Sequence, residues 1–205
     1  QRELDKLINN IEETGKRPRL LLHACCAPCS SYVLEYLSAW FDICVYFYNP
    51  NIDTREEYDK RAEELRSMIQ RMDVPVRLIV AEYDPDSFYR MAKGHEKDPE
   101  RGERCRLCYE LRLSETARLL KELSEKGEHF DYFCTTLSIS PLKDAKALND
   151  IGERIAASEG LSYLPSDFKK RNGYKRSIEL SGIYGLYRQD YCGCVFSRRE
   201  RQGQI

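Results

Sequence analysis

The sequence predicts an α/β fold: a parallel sheet flanked by helices, forming a single domain over 1–205. Three observations carry this expectation. Compact apolar runs of strand length alternate with helix-length amphipathic stretches along most of the chain. The junctions hold helix-start chemistry, a capping residue or a proline just inside the helix. With 205 residues and 41% hydrophobic content, the chain can build a core without disulfide staples.

Residues 3–14 read as a short amphipathic helix. Arg19–Ala24 is the first strand. A cysteine-rich turn follows, and then a helix over Ser30–Trp40. Phe41–Tyr48 is the second strand, ending at Asn49-Pro50-Asn51. Thr54-x-x-Glu57 is a capping box that opens a long helix to Met72. Val76–Ala81 is the third strand. Asp84-Pro85 starts a short helix to Lys93, with Asp84 as cap and Pro85 in the first turn. Gly94–Gly102 is polar and expected to be an exposed loop. Arg104–Lys126 is strongly periodic and is stopped by Gly127. Phe130–Thr135 is the fourth strand, and Ser140-Pro141 opens a helix to Ser158. The tail, 161–205, contains one helix, Ser177–Tyr187, and is expected to pack on the same domain.

Net charge is −1, which argues against a uniformly basic nucleic-acid binder. The charge is uneven, however. The tail holds nine Lys/Arg against four Asp/Glu, which suits a local contact with phosphate. No apolar stretch approaches the length needed to span a bilayer, and no segment has signal-peptide order. A cytoplasmic location with no membrane partner is the expectation.

Nine cysteines dominate the composition. Nine is odd, and without a secretory signal a disulfide framework is not expected. Cys44 and Cys134 sit inside apolar runs and read as small core residues. The other seven form three groups: Cys25-Cys26-x-x-Cys29, Cys105-x-x-Cys108 and Cys192-x-Cys194. In parallel sheets, ligands sit beyond the carboxyl ends of the strands, where the first group falls. Cys105 and Cys108 are three apart at a helix start and share a face. Helix N-termini favour thiolates, and clustered thiolates bind zinc or iron–sulfur centres. Adjacent Cys25-Cys26 suits two irons of one cluster better than one small zinc ion. A strained Cys192–Cys194 disulfide, a structural zinc knot and a metal-free dithiol site are the competing readings. His23 at a strand end reads as a satisfied core histidine. Asp144 and Asp190 are candidate oxygen ligands or acids, set against ordinary turn and surface roles. Tyr174, Tyr184, Tyr187 and Tyr191 interleave with cations of the tail, a pattern that suits base stacking with phosphate contact, or plain tyrosine packing.

The segment His23-Ala24-Cys25-Cys26-Ala27-Pro28-Cys29-Ser30 resembles the signature of the cobalamin-independent epoxyqueuosine reductases, the QueH family. The resemblance extends to Tyr48-Asn49-Pro50-Asn51-Ile52, Arg104-Cys105-x-x-Cys108-Tyr109-x-x-Arg112, Thr135–Pro141 and Tyr191-Cys192-Gly193-Cys194. It implies an adenine-nucleotide-hydrolase-like fold, similar to the PP-loop pyrophosphatases (the HUP class). It implies reduction of epoxyqueuosine to queuosine at the wobble position of tRNA, with a 4Fe–4S cluster, a further mononuclear iron and no cobalamin. PP-loop enzymes grip pyrophosphate with a glycine-rich loop after the first strand. Cysteines stand there instead, so ATP use is expected to be lost.

Joined to that resemblance, the spacing assigns Cys25, Cys26, Cys105 and Cys108 to the cluster. Cys29 with Cys192 or Cys194, helped by a carboxylate such as Asp190 or Asp144, falls to the second iron. Lys169, Lys170, Arg171, Lys175, Arg176, Arg198 and Arg199 are the expected tRNA contacts, and electrons are expected from a ferredoxin-like donor. The rival readings are a PP-loop-type tRNA sulfur-transferase, which would hydrolyse ATP, and a zinc-stabilised RNA-binding module, which would be redox-silent.

Overall fold

A computed structural model describes residues 2–203. Four parallel strands, β1 (Arg19–Ala24), β2 (Asp42–Phe47), β3 (Arg77–Val80) and β4 (Tyr132–Thr135), form one sheet in the order β3-β2-β1-β4. β1 is central. Leu20 pairs with Ile43 on one side and Tyr132 on the other. The chain winds outward through β2 and β3, then crosses back to place β4 on the opposite side of β1. The β1/β4 boundary is therefore the topological switch point, the place where open α/β sheets bind ligands.

Among the described residues, eight α-helices accompany the sheet: α1 (Arg2–Thr14), α2 (Ala27–Leu37), α3 (Arg55–Met72), α4 (Pro85–Ala92), α5 (Glu103–Glu125), α6 (Ala145–Glu159), α7 (Gly173–Ile183) and α8 (Val195–Arg201). Successive strand side chains point to opposite faces. Leu20, Leu22, Ile43, Val45 and Phe47 pack with Leu34, Leu65 and Met68 of α2 and α3. Leu21, Cys44 and Tyr46 pack on the other face with Leu113, Leu120, Leu148 and Ile151 of α5 and α6. Cys44 and Cys134 are buried in these cores, as expected of small apolar residues. No helix among the described residues is long and apolar enough to cross a membrane.

Several boundaries differ from expectation. The cysteine turn is not a loop ahead of α2. The helix starts at Ala27, with Cys26 at the cap position and Pro28 in the first turn, where its missing N–H costs nothing. Ser140-Pro141 does not open α6. A short 3-10 helix over Thr136–Ile139 intervenes, and Asp144 caps α6 by accepting from the amides of Lys146 and Ala147 at 2.9 and 3.1 Å. The tail helix is Gly173–Ile183, and α8 was not anticipated. Thr54 caps α3 through the Glu57 amide at 3.2 Å. The carboxylate of Glu57 turns to Arg61, so only half of the capping box forms.

The 94–102 segment is not a simple exposed loop. It folds around buried Arg104, whose Nη1 donates to the carbonyls of His95 and Glu96 at 3.1 Å each and to that of Asp98. In the tail, α7 lies on α2, and Arg71 Nη1 of α3 donates to the Tyr184 carbonyl.

Candidate metal centre

The first cysteine group occupies the switch point. β1 ends at Ala24, and Cys25 leaves it with its amide donating to Thr136 Oγ1 at 3.3 Å, just beyond the end of β4. Cys25 Sγ lies 3.8 Å from Cys26 Sγ and 3.6 Å from Thr136 Oγ1. The sulfurs of Cys25, Cys26 and Cys29 all fall within 4.8 Å of one another, a spacing that can hold a metal ion. Hydrogen bonds from Cys26 and Cys29 hold the Cys25 thiol well below the ordinary thiol range. Their own sharing of Cys25 pushes Cys26 and Cys29 up. Thiolate character is thus favoured at Cys25 over its two neighbours, beside the start of α2, where the helix dipole also favours negative charge.

His23 lies beneath this group, fully buried. Its Nε2 faces the Tyr48 carbonyl at 3.0 Å and so carries the proton. Its Nδ1 accepts from Thr135 Oγ1 at 2.8 Å. Burial, then the charge of Arg112, pushes its pKa down to about 4. It is the satisfied core histidine that was expected.

The second group rides on the first turn of α5. Cys105 Sγ accepts from the Arg101 amide at 3.3 Å, and Cys108 is buried one turn on. Burial pushes both thiols up. The third group forms a turn at Gly193, whose φ of +115° is left-handed territory that suits glycine. The Cys192 carbonyl accepts from Arg61 Nη1 at 3.3 Å, and the Gly193 carbonyl from the Asp53 amide at 3.0 Å. Cys194 caps α8, accepting from the Ser197 amide at 3.3 Å, and its buried thiol is pushed up to about 12. All nine cysteines are free, so the Cys192–Cys194 disulfide does not form.

Two adjoining cavities bring the groups together. A cleft of about 160 Å³ is lined by Cys25, Cys26, Cys29 and Cys192. A narrower one is lined by Cys105, Cys108, Cys192 and Cys194. Cys192, Arg112, Lys143 and Glu100 border both. Lys143 Nζ lies 2.9 Å from Cys192 Sγ. Burial would raise the Cys192 thiol, but the charges of Lys143 and Arg112 outweigh it and hold the thiol below its usual value.

Three cations lining these cavities, Arg61, Arg112 and Lys143, were not among the expected site residues. Arg112 was legible, because it follows Cys105 and Cys108 at seven and four residues on one helical face. Lys143 was hidden by the misplaced start of α6, and nothing in the sequence near Arg61 marks it.

Of the expected oxygen ligands, Asp190 is exposed and lines the cleft, whereas Asp144 is occupied as the α6 cap. Of the expected tRNA contacts, four are engaged within the chain. Lys169 meets Asp167 at 2.9 Å, Arg171 meets Asp5 at 2.7 Å, Arg176 meets Glu35 at 2.7 Å and Arg198 meets Asp53 at 2.9 Å. Lys170, Lys175 and Arg199 are exposed and make no ion pair among the described residues. Three tail tyrosines also turn inward. Tyr184, Tyr187 and Tyr191 stack on Arg71, Lys60 and Arg61 of α3. Only Tyr174 of the four lacks such a cation partner among the described residues, and it lines the cleft.

A family model described as epoxyqueuosine reductase QueH matches residues 20–200. Proteins named epoxyqueuosine reductase QueH align with nearly the whole chain. That of Streptococcus pyogenes serotype M1 is 43% identical over 192 residues, 92% of this chain and 73% of the relative. That of Staphylococcus epidermidis is 44% identical over 200 residues, 95% and 82% respectively. That of Thermotoga maritima is 34% identical over 195 residues, 91% and 95%. The three cysteine groups, drawn from residues 25 to 194, lie wholly inside the matched region, and the chain belongs to the epoxyqueuosine reductase QueH family.

Proposed function

We propose that the protein reduces epoxyqueuosine to queuosine at the wobble position of tRNA, in the cytoplasm, using electrons from a ferredoxin-like donor. The observation that carries this reading is the meeting of seven cysteines around two cavities with a common wall at the switch point, in a chain of this family. The reaction takes up two electrons and two protons. It breaks the epoxide C–O bonds, releases water and leaves a cyclopentene.

The donor set fits a metal–sulfur centre. Three thiols lie within 4.8 Å, and two buried guanidinium nitrogens nearby, Arg61 Nη2 and Arg112 Nη2, have no hydrogen-bond partner. Cys25, Cys26, Cys105 and Cys108 would hold a 4Fe–4S cluster. Cys29 with Cys192 or Cys194, completed by Asp190, would hold a mononuclear iron, and no cobalamin is needed. Such a centre supplies single electrons and a Lewis acid for the epoxide oxygen. The chain supplies the rest. Lys143 and Arg112 fix positive charge on the cleft wall, where it favours negative charge developing on that oxygen. Tyr174 offers an aromatic face in the cleft, and Arg188 and Arg201 flank it as cations for phosphate. Lys170, Lys175 and Arg199 extend the tRNA contact, beside the paired cations Lys169, Arg171, Arg176 and Arg198.

Protein purified without oxygen is expected to hold about four or more irons per chain with acid-labile sulfide. With a strong reductant it is expected to convert epoxyqueuosine in tRNA to queuosine, read by nucleoside analysis. Cys25→Ala and Cys105→Ala are expected to lose cluster and turnover together. Cys194→Ala is expected to keep most of the iron and turn over more slowly. A colourless zinc protein inactive on epoxyqueuosine, or one that hydrolyses ATP on adding tRNA, overturns the proposal.

A further inference from the structure

Arg112 is anomalous on electrostatic grounds. Its side chain is 1% exposed. Its Nε donates to the Cys108 carbonyl at 3.2 Å, and its Nη1 reaches Asn49 Oδ1 only at 3.5 Å. Its Nη2 is buried with no partner. No carboxylate pairs with it among the described residues. The other buried arginines of this region are neutralised: Arg61 by Glu57 at 2.7 Å and Arg104 by Glu200 at 3.4 Å. A guanidinium taken out of water and left without a counter-charge costs several kcal/mol, so a fold that keeps one has an anion for it. Glu100 borders the same two cavities, but it faces Lys143 Nζ at 4.0 Å and accepts from Ser197 Oγ at 3.4 Å. The groups left to Arg112 on both sides are cysteines, which become anionic as thiolates when they bind metal, since it lines the cavity of Cys25, Cys26 and Cys29 and that of Cys105, Cys108 and Cys194.

We propose that Arg112 is the positioning residue and fixed counter-charge of the whole cysteine centre, with Nη2 the donor that a metal-bound sulfur accepts. The inference rests on the metal reading above and deepens it. The guanidinium remains charged at any working pH, so it holds its N–H donors in place through every redox state of the centre. Its charge favours the more negative, thiolate-rich and reduced states over the oxidised ones. It also explains why the chain pairs no carboxylate with Arg112, because such a group would compete with sulfur for the same cation.

The test is cobalt(II) binding to the reduced, metal-free full chain without oxygen, read by thiolate-to-cobalt charge-transfer absorbance. Groups that support metal ligands in this way are typically worth 10–100-fold in affinity. Arg112→Gln is expected to weaken cobalt binding at least about tenfold, and Arg112→Lys, which keeps the charge, is expected to recover most of that loss. A merely structural arginine would lower thermal stability equally with and without metal and leave cobalt affinity unchanged, which would overturn the inference. No cobalt uptake by the wild-type chain would overturn the metal reading, and this proposal with it. Should the Arg112 variants fail to fold, Asn49→Asp places a carboxylate against Arg112 Nη1 in their stead. It is expected to cost cobalt affinity to a similar extent, and unchanged affinity would again overturn the inference. In the iron-loaded enzyme, Arg112→Gln is also expected to make the centre harder to reduce, while Arg112→Lys tracks wild type.

Discussion

Replacing Arg104 by Met is expected to destabilise the fold by about 3–5 kcal/mol, the range for removing one partner of a buried charged network. The side chain is 2% exposed, and its Nη1 is shared by the carbonyls of His95, Glu96 and Asp98. Its Nη2 meets Glu200 at 3.4 Å, and its guanidinium lies 4.5 Å from the Phe196 ring centre. A hydrogen bond from a charged donor contributes ~1.5–3 kcal/mol. These bonds act as one unit, so they do not add, and Met retains the packing of the stem. What remains is the loss of one buried cation that serves three carbonyls and a carboxylate. The assay is urea unfolding of reduced protein without oxygen, reading the shift in midpoint at constant slope. Arg106→Met, at a half-exposed position two residues on, is the control and should stay within about 0.5 kcal/mol. Proteolysis between residues 94 and 102 should accelerate in Arg104→Met alone. A loss below about 1 kcal/mol, or unchanged nicking, would refute the claim that Arg104 folds this segment and so seats Cys105 beside it.

Gly193→Ala forces a left-handed φ of +115° on alanine and brings a Cβ to 3.1 Å from Arg61 Nη1. It should cost about 1–3 kcal/mol and reduce iron content, and full iron retention would argue against metal ligation through the Cys192–Cys194 turn. His23 gives a pH dependence. Its folded pKa is pushed down to about 4 from 6.5, so above 6.5 its contribution is fully present. As the pH falls, the unfolded chain binds a proton that the folded chain refuses, removing about 3 kcal/mol by pH 4. Urea midpoints of metal-free protein from pH 7 to 4 should show this, and His23→Gln should flatten it. Changing Lys170, Lys175 and Arg199 together to Ala should lower the salt-dependence slope of tRNA binding by ~0.7–0.9 for each phosphate that is no longer neutralised. Arg171 and Arg176, held by Asp5 and Glu35, should contribute less, and an unchanged slope in the triple variant would return this face to plain surface.

The strands were legible because Arg19–Ala24 and the run around Ile43–Phe47 are continuous apolar segments between turn residues, and burial on both faces demands that pattern. Helix starts at Thr54 and Asp84 were legible because a capping side chain acts within three residues of its target. The same reasoning failed at Ser140-Pro141, where a good local signal lost to a 3-10 turn that carries the chain past Cys25. It failed again at α8, a helix of seven residues capped by a thiol, which no propensity marks. The tail tyrosines could be read as stacking groups or as plain packing, and it took the fold to show that α3 supplies cations for three of them.

Which chemistry the chain can support was written in its residue spacing: three cysteine groups, two of them at helix starts that the sequence marks, each defined by contacts a few residues long. How those groups are charged was not, because Arg61, Arg112 and Lys143 come to the cysteine-lined cleft from α3, α5 and the turn before α6, segments separated by dozens of residues. Electrostatics in a dry interior depends on distances of a few ångströms between such segments, and strand order alone brings them together. The crossing of the chain from β3 back to β4 opened the switch point, and a guanidinium without a carboxylate became interpretable only once its neighbours were known to be sulfur.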